Sequence, residues 1–417
     1  MVNWQRVAVT VRVPATSANL GPGFDALGLA LARYDEVTAE ITGSGLAIEV
    51  SGEGPGAANA GEGHLVVRAM RAAFETIVGE QPPGLTLSCV NTIPQGRGLG
   101  SSAGAVVAGL LAGRALATLA SSGDAPAQHD APTFGASSGS SVLISGGEGT
   151  AVPVPEGDRA GEVDANAGQF VDQELLAMAA DLEGHPDNAA ACLAGGLTVA
   201  WAPAPAVKEN CGQEGMDGQP GRRGETRAVR LEPDPAIVPV VCVPATSLAT
   251  KKARQALPET VSHADAATNS GRSALLVAAL TQRPDLLFDA THDLLHEPYR
   301  AALMPASADL ISRLRRAGIP AVLSGAGPTV LAFIVSGRTP GSPEVDSIAI
   351  QTGNEWHVSP LDVDRQGATI QSVPPGIRIR AGARQGRHGG GLRWARAGHA
   401  GRSRPDRWPT SAKHGHL

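Results

Sequence analysis

The segment Ile93-Pro94-Gln95-Gly96-Arg97-Gly98-Leu99-Gly100-Ser101-Ser102-Ala103-Gly104 constrains this chain more than any other. Upstream, Leu85-Thr86-Leu87-Ser88-Cys89-Val90 reads as a strand, and from Ala103 an Ala/Val/Leu-rich run reads as a buried helix. The order strand, glycine loop, helix gathers backbone N–H groups in one concavity at a helix N-terminus, where an anion is well held. The loop lacks the Gly-Lys-Ser/Thr ending of a Walker A motif and the glycine pattern of a dinucleotide fingerprint, so a phosphate loop of another kind is indicated. Taken alone, it would also serve as a turn capped by Ser101 or Ser102.

At 417 residues the chain is long enough for two domains with sizeable cores. Aromatic residues make up only 3%, so alanine, valine, leucine and 52 glycines must fill most of the interior, which suits a compact α/β or α+β protein. The formal charge of −6 argues against a general nucleic-acid-binding role. Cys89, Cys192, Cys211 and Cys242 show no Cys-x-x-Cys pair and read as buried or incidental thiols. With no apolar core at the N-terminus and no run of some twenty apolar residues, neither a signal peptide nor a membrane span is expected, and the default location is the cytoplasm.

Strands are expected over Val7 to Val13, in two runs of Ala30 to Val50 around a Gly43-Ser44-Gly45 turn, and at Leu197 to Trp201, Ile237 to Val243 and Pro320 to Leu323. Helical spacing marks Leu65 to Val78, Ala103 to Leu119, Gln173 to Leu182, Ser270 to Leu280, Leu286 to Leu294 and Ala306 to Ala317. Residues 120–166 and 202–226 are rich in Ser, Gly, Ala, Asp and Pro and are expected to be flexible. After Val373 the chain becomes Gly/Arg-rich and aperiodic, an expected disordered tail whose arginines also suit phosphate or RNA. The expected division is therefore 1–201, 202–373 and the tail 374–417.

Four further blocks carry chemistry. In Pro14-Ala15-Thr16-Ser17-Ala18-Asn19-Leu20-Gly21-Pro22-Gly23-Phe24-Asp25-Ala26-Leu27-Gly28, a tight turn brings the Asn19 amide and the Asp25 carboxylate toward one pocket. Asp181-Leu182-Glu183-Gly184-His185-Pro186-Asp187-Asn188 collects carboxylates, an imidazole and an amide at a helix end. One glutamate and one serine hydroxyl would suffice for magnesium, which keeps waters and phosphate oxygens in its shell. Arg254, in Thr250-Lys251-Lys252-Ala253-Arg254, and Arg300, in His296-Glu297-Pro298-Tyr299-Arg300, are forks of the kind that clamp a carboxylate. The fourth block, Leu323-Ser324-Gly325-Ala326-Gly327-Pro328-Thr329, is a strand-turn-strand segment.

Pro-x-Gly-x-Gly-Leu-Gly-Ser-Ser-Ala resembles the central motif of the GHMP kinases, and the block from Pro14 to Gly28 is similar to the opening motif of the homoserine kinases within them. The resemblance runs in order from about Val7 to Val330. It implies an α+β, two-domain GHMP kinase fold: an N-terminal domain like domain 2 of ribosomal protein S5 and a ferredoxin-like α/β C-terminal domain. It implies ATP on the loop from Pro94 to Gly104, Mg2+ on Ser102 and Glu183, and L-homoserine at Asn19, Asp25, His185, Thr250, Arg254 and Arg300. His185 and Asn188 would align the acceptor hydroxyl, with no obvious general base and Asp187 structural. The alternatives are another GHMP small-molecule kinase and a non-catalytic GHMP-fold regulator. No nucleic-acid or membrane partner is expected, and the sequence leaves homodimer formation open.

Overall fold

The structure, a computed structural model, describes residues 2–122, 171–202, 226–336 and 342–372. Most of the expected insertion at 120–166, nearly all of the segment 202–226 and the whole arginine-rich tail lie outside the described residues. The first half of the chain runs β1 (Ala8–Ala18), β2 (Leu27–Thr42), β3 (Gly45–Gly52), α1 (Leu65–Val78), β4 (Gly84–Asn91), α2 (Ser101–Ser122), α3 (Gln173–Glu183), α4 (Asp187–Ala194) and β5 (Leu197–Trp201). The second runs β6 (Arg227–Leu231), β7 (Ile237–Pro244), α5 (Thr250–Gln255), α6 (His263–Thr281), α7 (Leu287–Ala290), α8 (Glu297–Arg300), α9 (Pro305–Arg316), β8 (Ala321–Leu323), β9 (Val330–Val335), α10 (Ser342–Ile350), β10 (Trp356–Pro360) and β11 (Thr369–Ser372).

The first sheet has seven strands, ordered β11-β1-β2-β4-β3, with β5 joining β2 to β6. Val9, Val11 and Val13 of β1 and Val37, Ala39 and Ile41 of β2 pack into one core with α1 to α4. The register between β1 and β2 then shifts at Pro14/Ala15. Strand side chains alternate with period two, and an irregularity of this kind re-aims those beyond it. Ala15, Leu29 and Leu31 accordingly enter a different core, shared with Leu276, Val322 and Phe333 of the second half. The same two strands thus hold the helices at one end and the second unit at the other.

The second sheet is antiparallel in the order β10-β7-β9-β8, the 4-1-3-2 arrangement of a ferredoxin-like unit. The fold class agrees with the expected two-unit α+β architecture. The boundary in sequence is less simple, because β6 and β11 lie beyond residue 201 and pair in the first sheet.

Two local expectations are corrected. The helix expected over 286–294 stops at Ala290, because the Asp293 carboxylate accepts the N–H groups of His296 (2.8 Å) and Glu297 (2.7 Å) and starts α8 as a separate turn. The described residues also hold one helical segment long and apolar enough to cross a membrane, Ser101–Ala120 of α2, which periodicity divided between loop and helix. It is a core helix, 72% buried against the rest of the molecule.

Candidate active site

The glycine loop joins β4 to α2, as its sequence requires. Gly96, Gly98 and Gly100 take left-handed φ values of 64°, 81° and 69°. A Cβ on Gly98 would stand 2.2 Å from the Ser324 carbonyl oxygen, and one on Gly100 only 1.9 Å from Thr16 Oγ1, so neither position admits a side chain. Four successive loop carbonyls are drawn into the protein. Gly96 accepts from Leu248 N (2.9 Å), Arg97 from Thr329 N (3.2 Å), Gly98 from Ser324 Oγ (2.6 Å) and Leu99 from Thr16 N (3.1 Å). By contrast, no backbone N–H from Gly96 through Ala103 donates a hydrogen bond within the described residues. A row of unused donors at the N-terminus of a long helix is an anion cradle.

Ser102, in the first turn of α2, donates to Glu183 Oε1 at 2.6 Å, although 81 positions separate them in sequence. Glu183 is the last residue of α3, which Gly184 ends at φ 87°. The described residues contain no group of three or more His, Cys, Asp or Glu side chains able to hold a metal by themselves. A hydroxyl and a carboxylate side by side, next to phosphate-binding N–H groups, fit a hard cation that shares its shell with phosphate and water.

Across the loop lies the block of residues 185–188. Thr16 Oγ1 donates to Asn188 Oδ1 at 2.8 Å, directly under Gly100, so the amide is seated against the phosphate loop. Asp187 is 2% exposed at its side chain and receives His185 Nδ1 (2.8 Å), the Asn188 N–H (2.7 Å) and Asn188 Nδ2 (3.3 Å). That bond to Asp187 raises the His185 pKa above the ordinary imidazole value, against the lowering effect of burial. Asp187 helps to start α4, a helix that sequence reading missed because its alanines are buried all round and leave no amphipathic stripe.

Asp25 and Arg254 form a two-bonded ion pair, 3.0 and 2.7 Å, and remain about one-third exposed. Arg300 lies beneath, 1% exposed. Its Nε donates to Ala253 O (3.3 Å) and its Nη1 to Gly325 O (3.3 Å), and Nη1 lies 3.1 Å from His296 Nδ1. No carboxylate among the described residues comes within ion-pair distance of it. Burial and the neighbouring Arg254 charge lower its pKa. Asn19 is also buried: its Nδ2 donates to Gly325 O (2.8 Å) and its Oδ1 accepts the Asp25 N–H (2.9 Å), which fixes the turn carrying Asp25. Thr250 opens α5, exposed, one turn before Arg254.

Gly325 connects the two halves of this arrangement. Its carbonyl takes both Asn19 and Arg300, its N–H donates to Ala18 O (3.0 Å), and its backbone lies against Gly98. The Phe24 ring, stacked on His296 at 5.2 Å, sits 5.6 Å below the Arg300 guanidinium and 5.9 Å from that of Arg254. On the far side of the loop a cleft of about 330 Å³ is lined by Gln95, Gly96, Ser101 and Ser102 together with His64 and Asn91. His64 is 7% exposed and its Nδ1 has no hydrogen-bond partner among the described residues. Sequence reasoning passed over Thr16, Phe24, Ser324 and His64. The first three sit inside blocks already singled out, whereas His64 carries no local signal.

Comparison with known proteins agrees with this geometry. The descriptions "GHMP kinases N terminal domain" and "GHMP kinases C terminal" match residues 64–130 and 275–347. A homoserine kinase of Streptomyces coelicolor is 44% identical over 367 residues, 88% of this chain and 96% of its own length. That of Mycolicibacterium vanbaalenii is 45% identical over 335 residues, 80% of this chain and 87% of its own. The crystal structure of homoserine kinase from Cytophaga hutchinsonii shares the fold with a TM-score of 0.60 at 23% identity, covering 87% of this chain and 97% of that one. By loop, paired units and relatives alike, the chain belongs to the GHMP kinase family and, within it, to the homoserine kinases.

Proposed function

We propose that this protein transfers the γ-phosphoryl group of ATP to the side-chain hydroxyl of L-homoserine, giving O-phospho-L-homoserine for threonine biosynthesis. What carries the substrate assignment is the cluster of Asp25, Arg254 and Arg300 joined through Gly325 to the phosphate loop. An acceptor with an ammonium and a carboxylate meets both signs of charge there. Mevalonate lacks the ammonium and galactose lacks both.

The unused N–H groups of the loop and of the first turn of α2 receive the ATP phosphates, with the nucleoside in the cleft beside His64. Ser102 and Glu183 would hold Mg2+, which supplies charge neutralisation at the phosphates when bound. Asp25 takes the substrate ammonium and Arg254 and Arg300 its carboxylate, while Asn19 and Phe24 position those groups. Thr250 lines the same approach. Asn188, oriented by Thr16, and His185, oriented by Asp187, align the acceptor hydroxyl.

Phosphoryl transfer has a loose transition state, so positioning and electrostatic stabilisation carry most of the rate. Asp187 already accepts three hydrogen bonds and is closed to solvent, which supports a positioning role. The hydroxyl proton then leaves to the transferred phosphoryl oxygens. The reading extends to a reducing, cytoplasmic setting, supported by the unpaired buried thiols of Cys89, Cys192 and Cys242. A coupled assay offering homoserine, threonine, mevalonate and galactose with MgATP tests the assignment. Turnover with another acceptor and none with homoserine would overturn it.

A further inference from the structure

A second cavity of about 560 Å³ opens between α7, α8 and α9, away from the phosphate loop. Phe288, Met304 and Ile311 give it apolar walls, and Phe288 is 42% exposed. Four charged residues line it: Asp293 is spent on the N–H groups of Leu295, His296 and Glu297, Arg316 is exposed to solvent, and the two opposite charges that remain, Glu297 and Arg315, do not meet. The Arg315 guanidinium spends Nε on Ala321 O (3.1 Å) and Nη2 on Thr291 O, which leaves Nη1 without an acceptor among the described residues. Glu297 spends one carboxylate oxygen on the Leu323 N–H (2.6 Å), and its second oxygen has no donor among the described residues. No ion pair within 4.0 Å links the two. Burial disfavours the charged form of both, raising the Glu297 carboxyl to about 7 and lowering the Arg315 pKa.

Half-buried opposite charges that stay unpaired in one cavity cost stability unless something completes them. We propose that this cavity is a second ligand site for a small zwitterion, an α-amino acid with an apolar side chain. Its carboxylate pairs with Arg315, its ammonium with Glu297, and its side chain lies against Phe288, Met304 and Ile311. A simple anion drawn to Arg315 would stand beside Glu297, and a simple cation drawn to Glu297 would stand beside Arg315. Only a ligand with both charges satisfies the pair, and the apolar walls select against a polar tail. Asp25, Arg254 and Arg300 are not among the residues that line it, so it is a different cavity from the acceptor pocket.

Isothermal titration calorimetry on the full chain, without ATP or homoserine, tests this with L-leucine and two one-charge relatives, 4-methylpentanoate and 3-methylbutylamine. Leucine should bind, and each relative should bind at least about tenfold more weakly, since each leaves one buried charge unpaired. Binding should survive Asp25→Asn, which removes the acceptor pocket's carboxylate. Ala308→Phe, which fills the cavity, should abolish it while leaving homoserine phosphorylation unchanged. Glu297→Gln keeps an acceptor for Leu323 N–H and should reduce leucine to the affinity of 4-methylpentanoate. The proposal is overturned if leucine gives no heat, if both relatives bind as well as leucine, or if binding disappears in Asp25→Asn and persists in Ala308→Phe.

Discussion

Replacing Gly100 by alanine adds two separable penalties. The residue holds φ at 69°, where an L side chain costs about 1–2 kcal/mol. Its new Cβ would also stand 1.9 Å from Thr16 Oγ1. Thr16 is fully buried and β-branched, so it clears the methyl only by leaving its rotamer, at about 0.5–1.5 kcal/mol, and by giving up its bond to Asn188, worth a further ~0.5–1.5 kcal/mol. The sum is about 2–5 kcal/mol in the native background. In a Thr16→Ala background the hydroxyl is gone, and the same glycine change should cost the backbone strain and the milder 3.1 Å approaches to Asn188 Oδ1 and the Cβ of residue 16. Urea unfolding of the four proteins gives the coupling energy, expected at about 1–3 kcal/mol. A coupled kinase assay should show turnover lost in Gly100→Ala and partly recovered in the double variant. If Gly100→Ala costs the same in both backgrounds, the contact with Thr16 is not what requires glycine.

Other outcomes follow from the same geometry. Asp25→Asn should raise the KM for homoserine about 10- to 100-fold, the worth of one charged hydrogen bond, with the KM for ATP unchanged in steady-state assays. Because the Asp25–Arg254 pair is partly exposed, the same change should move Tm little. Ser102→Ala and Glu183→Gln should each shift the Mg2+ concentration for half-maximal activity upward, read by metal titration at saturating substrates. Asp187→Asn should retain substantial turnover while an NMR titration shows the His185 pKa falling toward its ordinary value; near-total loss of activity with intact folding would refute the positioning role. Asp35 is pushed up to about 6 by burial, so its folded pKa exceeds the unfolded one. Its contribution to stability is present below about pH 4 and is lost as pH rises through 6, and Asp35→Asn should remove that slope from urea-unfolding measurements.

The elements around the phosphate loop were legible because each had a clear period or a glycine turn. Leu65–Val78 has an amphipathic stripe, and the strand before the loop alternates. Asp187–Ala194 has neither: eight residues rich in small buried side chains look like a loop until the sheet and α2 close around them. The strands β6 and β11 are short, and only their pairing with distant β5 and β1 defines them. The site residues were recognisable as types, but their pairings were not. The sequence placed Asp25 and Arg254 on opposite charges of one ligand, and the folded chain also joins them to each other across 229 positions. Burial of Arg300 likewise depends on Gly325 and His296, which only the tertiary fold brings near.

The loop carbonyls at residues 96–99 are held by donors from Leu248, Thr329, Ser324 and Thr16. Three of those four donors come from the second half of the chain. The nucleotide-binding segment is therefore no portable module: expressed alone, residues 1–202 would keep the loop sequence but lose most of the anchors that turn its N–H groups outward. Splitting the gene between the halves should yield fragments that regain ATP affinity only on reassociation, so that nucleotide binding itself reports whether the two units have met.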